Sequence, residues 1–315
     1  MVSNLAVEFF ISRRTKIQAV SGVTFHINKG ETLGLVGESG CGKSTVARTI
    51  VRLQKPTAGR VLFEGEDLTR CSKKRLRKLR PDFQMIFQDA AASLNPGRKA
   101  GKTIAEPLRL KREVGSSERI RLSREMMKDV GLDPNWTYDR LPFEFSGGQC
   151  QRISIARALI TKPKFLICDE PVSSLDVSVQ AQILNLLEKM KARFGLTMLF
   201  ISHDLSVVKN ISDRVAVMYL GKLCEIGPSE SLYQSPKHPY TDALLSSIPE
   251  PDPARPFKRV HLKDIEIPSP ANPPSGCRFR TRCLGAMPRC AEIEPALIET
   301  EPGMQVACHY PLSAR

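Results

Sequence analysis

Between residues 4 and 27, apolar and polar side chains alternate with a period of two. The pattern predicts two strands, 4–10 and 19–27, joined through the basic and polar segment 11–18. Asn28-Lys29-Gly30 reads as a turn, and residues 31–36 (Glu-Thr-Leu-Gly-Leu-Val) as a short buried strand. Helical spacing follows over 45–51, and Gly59 to Gly65 predicts a further strand and turn. From Thr103 to about Val130 the pattern turns helical and charged, with Ile104, Leu108, Ile120, Leu122, Met126, Met127 and Val130 as its apolar positions. Residues 146–227 return to strand–helix alternation: helix 151–159, strand 164–168, helix 178–194, strand 197–201, strand 214–219 and a hairpin over 221–227. Strands alternating with helices of this length imply an α/β fold with a parallel sheet.

Composition changes this picture at two places. Residues 70–80 form a basic run, expected to be a solvated helix face in preference to a specific anion site. Beyond Ile248, Pro249, Pro251, Pro253 and Pro256 fall close together, followed by Pro268, Pro270, Pro273 and Pro274. Proline at this density disfavours regular elements, so a boundary is expected between 1–248 and a Pro-rich region, 249–315. The nearly apolar run Leu196 to Ile201 is too short to span a bilayer. Residues 1–8 carry no charged-then-apolar targeting pattern, so the chain is expected in the cytosol unless a partner holds it at a membrane. A net charge of +14 over 315 residues points to an anionic partner: nucleic acid, acidic lipid headgroups or nucleotide.

The candidate chemistry decides among these. Gly37-Glu38-Ser39-Gly40-Cys41-Gly42-Lys43-Ser44-Thr45 fits the pattern G-x-x-x-x-G-K-[ST], with a predicted strand before it and a helix after it. Backbone N–H groups of such a turn cradle phosphate oxygens, Lys43 reaches the terminal phosphates and the Ser44 hydroxyl holds Mg²⁺. The chain therefore binds a nucleoside triphosphate. Residues 164–170 (Lys-Phe-Leu-Ile-Cys-Asp-Glu) are an apolar strand ending in two carboxylates. Asp169 is placed to hold Mg²⁺ and Glu170 to act as general base toward water. Phe145-Ser146-Gly147-Gly148-Gln149 is a Ser-Gly-Gly helix start, a second anion nest without a lysine.

GESGCGKST, Phe87-Gln88-Asp89, FSGGQ, FLICDEP, Ser173-Ser174-Leu175-Asp176 and Ile201-Ser202-His203-Asp204 occur in that order. Together they resemble the ATP-binding subunit of ABC transporters over about residues 5–230. The resemblance implies a P-loop ABC cassette: a mixed sheet core, an antiparallel β subdomain and a helical subdomain at about 90–160. It implies that Gln88 senses Mg²⁺ and faces membrane subunits, and that Ser146, Gly147, Gly148 and Gln149 cap the γ-phosphate of ATP on an opposite subunit. Asp176 lies in the loop linking the two sites, His203 contacts γ-phosphate, and Phe10 is the aromatic expected under adenine. Phe145 stands where leucine is commoner, Cys150 where arginine is usual and Ala90 where proline is frequent. The arginine's absence is expected to weaken the capping site.

Residues 87–96 and 238–245 (His-Pro-Tyr-Thr-Asp-Ala-Leu-Leu) are similar to ATPases of dipeptide, oligopeptide and nickel importers. Import of di- or oligopeptides is the function this implies, with a soluble ABC ATPase acting on nucleic acid or ribosomes as the competing class. The implied partners are a second, related and non-identical ATPase subunit, two integral membrane permeases and, indirectly, an extracytoplasmic peptide-binding protein, with no nucleic acid. The implied place is peripheral, on the cytoplasmic face of the cell membrane. Four cysteines close the chain with the spacing C-x5-C-x6-C-x17-C: Cys277, Cys283, Cys290 and Cys308. Four thiolates suit zinc or an iron–sulfur cluster, and unliganded thiols are the third reading. The resemblance points to a 4Fe–4S cluster in addition to ATP and Mg²⁺.

Overall fold

The computed structural model describes residues 1–10, 16–110, 114–248, 263 and 266–313. In chain order the elements are β1 (Val2–Phe10), β2 (Lys16–Phe25), β3 (Thr32–Val36), α1 (Lys43–Ile50), β4 (Ala58–Phe63) and β5 (Glu66–Asp67). Then come α2 (Lys73–Leu79), β6 (Phe83–Ile86), α3 (Ala90–Ser93), α4 (Ala100–Ala105), α5 (Ser116–Asp129), α6 (Pro134–Thr137) and α7 (Gly147–Leu159). They are followed by β7 (Phe165–Asp169), α8 (Val177–Phe194), β8 (Thr197–Ile201), α9 (Leu205–Ile211), β9 (Arg214–Tyr219) and β10 (Lys222–Pro228). The last are α10 (Ser229–Gln234), α11 (Pro239–Ser246), α12 (Arg289–Glu292), β11 (Ile298–Glu301) and β12 (Met304–Val306).

The chain divides into two compact units. One comprises Met1–His26, Thr32–Thr69 and Ser202–Arg315; the other comprises Ile27–Glu31 and Arg70–Ile201. In the first unit, an antiparallel sheet has the order β2-β1-β4-β5. The alternation that predicts β1 holds for Leu5 and Val7 but slips between Val2 and Leu5, where Asn4 has φ of 51° and the register shifts. The same unit orders β11-β12-β10-β9-β3, in which β3 and β9 are parallel and the remaining pairs antiparallel. Gly34 lies on β3 beneath α9, where a Cβ would stand 2.4 Å from Val208 Cγ1. Only glycine permits that approach of helix to strand.

The second unit contains β6, β7 and β8 as parallel neighbours. Every residue of β7 is buried, and the strand reads as an uninterrupted apolar run up to its terminal Asp169. That is the signature of a parallel strand covered on both faces. Around it, Ile104, Leu108, Met126, Met127, Val130 and Ile153 fill the helical part of the unit. The expected helical stretch 103–130 is α4, a 3₁₀ turn over Glu106–Leu110, and α5. Ile120 departs from the expectation, being 45% exposed: α5 turns Ser123, Met126 and Met127 inward, and Ile120 falls off that stripe. Part of the basic run forms α2, which buries none of its residues, as a solvated face does.

The expected prolines 249, 251, 253 and 256 lie outside the described residues, as do residues 11–15 of the segment between the first two strands. After them, β11, β12 and α12 add regular structure where irregular chain was expected. Strand β12 pairs with β10 through Glu225 opposite Val306. Among the described residues no helix is long and apolar enough to cross a membrane.

The contrast on α5 is measurable by urea denaturation. Met127→Ala, at a fully buried position, should cost about 2–5 kcal/mol. Ile120→Ala should change stability by no more than about 0.5 kcal/mol. Equal losses would contradict this orientation of the helix.

Candidate functional site

In the first unit, Thr32–Val36 delivers the chain into the turn 37–42, and α1 leaves it at Lys43. Gly37 has φ of 150°, and a Cβ there would lie 2.1 Å from the Met218 carbonyl oxygen. Gly42 has φ of 109°, and its Cβ would meet the Ala19 carbonyl oxygen at 2.2 Å. Both positions require glycine. The Lys43 ammonium is buried and donates to the carbonyl oxygens of Gly37 at 2.7 Å and Glu38 at 3.0 Å. The cation is thus held inside the loop's own curve. Cys41, also buried, lies 3.8 Å from that ammonium, and burial raises its thiol pKa. Ser39 and Gly40 are exposed, while Gly42, Ser44 and Thr45 are half-buried. Gly42 caps α1 with no side-chain hydrogen bond.

Two further residues of this unit were expected to contribute. His203 is exposed at the end of β8, directly before Asp204, whose carboxylate accepts from Ser206 N–H and Val207 N–H at the start of α9. Phe10 is 70% exposed and carries the Lys16 ammonium 5.3 Å from its ring centre.

The second unit carries the carboxylates and the helix-start motif. Asp169 is fully buried at the end of β7, and Glu170 follows with φ of 47°, a conformation few residues other than glycine adopt. The Glu170 N–H donates to Ile201 O at 3.0 Å, which anchors this bend to β8. Gln88 Nε2 donates to the Glu170 carboxylate at 3.0 Å, so two predicted residues from distant parts of the chain meet. Ser146 caps α7: its hydroxyl accepts from Gln149 N–H at 3.4 Å, while Gln149 Oε1 accepts from Ser146 N–H at 3.0 Å. This reciprocal pair is a capping box, and Gly147 and Gly148 form the first turn above it. A Cβ on Gly148 would press to 2.7 Å from Val179 at the start of α8. Asp176, exposed, is the residue from which α8 begins. The buried Cys150 thiol faces the Pro142 carbonyl at 3.6 Å.

The four terminal cysteines converge. Cys277, Cys283, Cys290 and Cys308 line one cavity of about 330 Å³, together with His238, Pro239 and Phe279. All four are free thiols, and burial raises the pKa values of Cys277, Cys283 and Cys308, the last to about 11. Among the described residues no three His, Cys, Asp or Glu side chains form a group that could hold a metal ion.

Comparison with known proteins places these features. Residues 20–173 match the family described as "ABC transporter". The chain is 55% identical over 283 residues to "Oligopeptide transport ATP-binding protein OppF" of Salmonella typhimurium, covering 89% of this chain and 84% of that protein. The chain belongs to the ABC transporter ATP-binding proteins. It is also 53% identical over 310 residues to "Putative oligopeptide transport ATP-binding protein YkfD" of Bacillus subtilis, covering 98% of this chain and 94% of that protein. Residues 224–290 match "Oligopeptide/dipeptide transporter, C-terminal region". Among solved structures, the ATP-binding cassette MJ0796, in a dimeric post-hydrolysis state bound to ADP and Pi, superposes with a TM-score of 0.66 at 28% identity. The match covers 72% of this chain and 97% of that one. The chain is thus an ABC ATPase with an α/β cassette, and its chemistry is ATP hydrolysis supported by Mg²⁺.

Arg278 and Arg282 lie outside every motif, and the 238–245 motif does not reveal that Tyr240 meets Glu38; all three touch the nucleotide loop or its supporting strands. The signal available was weak: three arginines and a phenylalanine between Cys277 and Cys283. For the capping box, Ser146→Ala should lower stability by about 1 kcal/mol, with Ser146→Asp preserving it. Urea denaturation checks both, and equal loss in the two variants would contradict a capping role.

Proposed function

We propose that this chain powers import of di- or oligopeptides through a transporter in the cytoplasmic membrane, held peripherally on its cytoplasmic face. The C-terminal match carries this reading, because it separates peptide-transport ATPases from other cassettes. The names of the relatives aligned over nearly all of both chains support it. Residues 1–248 form the cassette and 249–315 the appended region. The assembly contains a second, related ATPase subunit and two integral membrane permeases, with an extracytoplasmic peptide-binding protein acting on them.

Residues 37–45 cradle the ATP phosphates, with Lys43 toward the terminal phosphates and Phe10 against adenine. Ser44, Gln88 and Asp169 would hold Mg²⁺, which, when bound, would offset charge on the phosphates. Glu170 accepts the proton of the water whose oxygen attacks the γ-phosphorus, as the bond to the β–γ bridging oxygen breaks and ADP leaves. His203 contacts the γ-phosphate. Ser146, Gly147, Gly148 and Gln149 cap ATP held by the other subunit, and Asp176 joins the two sites. The dimeric state of the solved neighbour supports pairing of two such subunits. Closure of the pair then drives the permeases, and hydrolysis resets them.

Cys277, Cys283, Cys290 and Cys308 would hold a 4Fe–4S cluster, with zinc as the competing occupant. The four thiols line one cavity of about 330 Å³, and four thiolates are a donor set that suits either group.

Glu170→Gln should lower ATP hydrolysis by about 10²–10⁴-fold while ATP binding persists, and cells carrying it should stop taking up labelled dipeptides. Hydrolysis at the normal rate would remove Glu170 from the base's role, and undiminished uptake would contradict the transport reading. Anaerobic purification should give brown protein with about four iron and four sulfide per chain. Colourless, zinc-loaded protein would contradict the cluster.

A further inference from the structure

We propose that Arg282, from the segment between Cys277 and Cys283, is a positioning residue for ATP: it holds the phosphate loop in its binding conformation from the C-terminal region. The contact is direct. The Arg282 guanidinium lies 2.7 Å from the Glu38 carboxylate, with the two side chains only 9% and 23% exposed. Glu38 is the residue after Gly37, and each of its polar groups is engaged. Its N–H donates to the Tyr240 hydroxyl at 2.9 Å, its carbonyl accepts from Lys43 at 3.0 Å, and its carboxylate accepts from Arg282.

The support beneath these contacts is rigid. Tyr240 and Phe279 are each 1% exposed and pack at 5.3 Å, with Tyr219 at 4.7 Å from Tyr240 and 5.3 Å from Phe279. Both N–H groups of Arg282 and Cys283 donate to the Phe279 carbonyl, a turn that directs the Arg282 side chain. Arg278, on the other side of Phe279, donates to the Leu220 carbonyl and reaches Gln18 and Ser21 at 2.8 Å. The segment is therefore pinned at Arg278, Phe279 and Arg282.

Two physical effects follow for the nucleotide. A loop held at all three polar groups of Glu38 loses less freedom when phosphates bind. Arg282 also neutralises a carboxylate that would otherwise stand unpaired in the loop that receives a polyanion, where like charge repels.

The inference rests on residues 37–45 being the phosphate cradle, and the test separates the two. Binding of a fluorescent ATP analogue with Mg²⁺ is measured on the full chain, and ATPase KM and kcat on the assembled transporter. Arg282→Ala should weaken binding and raise KM by about tenfold, with kcat within about twofold. Arg282→Lys should restore most of the affinity, and Tyr240→Phe, which removes only the hydroxyl, should weaken it a few-fold. Lys43→Ala should abolish binding. Unchanged affinity in Arg282→Ala, beside an inactive Lys43→Ala, overturns the inference alone; intact binding in Lys43→Ala overturns the cradle and the inference together. A lowered melting temperature in Arg282→Ala with unaltered KM also overturns it, since that is a purely structural role.

Discussion

Two backbone carbonyls, those of Met218 and Ala19, press against the phosphate loop where any side chain at Gly37 or Gly42 would have to stand. One carbonyl ends β9 and the other belongs to β2, so the curvature of the loop is set by strands far from it in sequence. The buried Lys43 ammonium completes the constraint from inside by spanning the Gly37 and Glu38 carbonyls. The curve of the loop is thereby fixed by the protein's own contacts.

The C-terminal region extends the same constraint. Strand β12 adds to β10, and the buried Glu225 on β10 accepts the N–H groups of Lys237 and His238. His238 is held neutral, its pKa pushed down to about 4 by burial, so that Nδ1 accepts the Tyr240 N–H and starts α11. Tyr240 then presents its hydroxyl to the loop at Glu38. Strand β12, from the region that composition marks as proline-rich and irregular, thus adjoins a chain of contacts that runs from β10 to the nucleotide loop.

Much of the cassette was legible because its signals are local. The strand–turn–helix around Lys43 shows in the fixed positions Gly37, Gly42, Lys43 and Ser44 between an apolar run and a helical one. Helices α7 and α8 and strands β7, β8 and β9 fall within a few residues of the periodicity that predicts them. The Ser-Gly-Gly helix start at 146–148 is where α7 begins, and the structure adds the reciprocal Ser146–Gln149 capping box. What stayed hidden depends on distant partners. Ile120 fits a helical pattern yet faces outward, since the stripe is chosen by what α5 packs against. Residues of β11 and β12 form runs too short for period-two alternation to register, and they are ordered by β10. Arg282 meets Glu38 across 244 positions, a contact no local pattern encodes.

The central claim is that nucleotide turnover at the phosphate loop drives peptide movement through membrane partners. Its most direct measurement is ATP hydrolysis by the purified assembly in lipid vesicles, with and without a peptide-loaded binding protein. The account predicts co-purification with two integral membrane subunits and a rate that rises when the loaded binding protein is added. Co-purification with ribosomes or nucleic acid, or a rate indifferent to peptide, would contradict it.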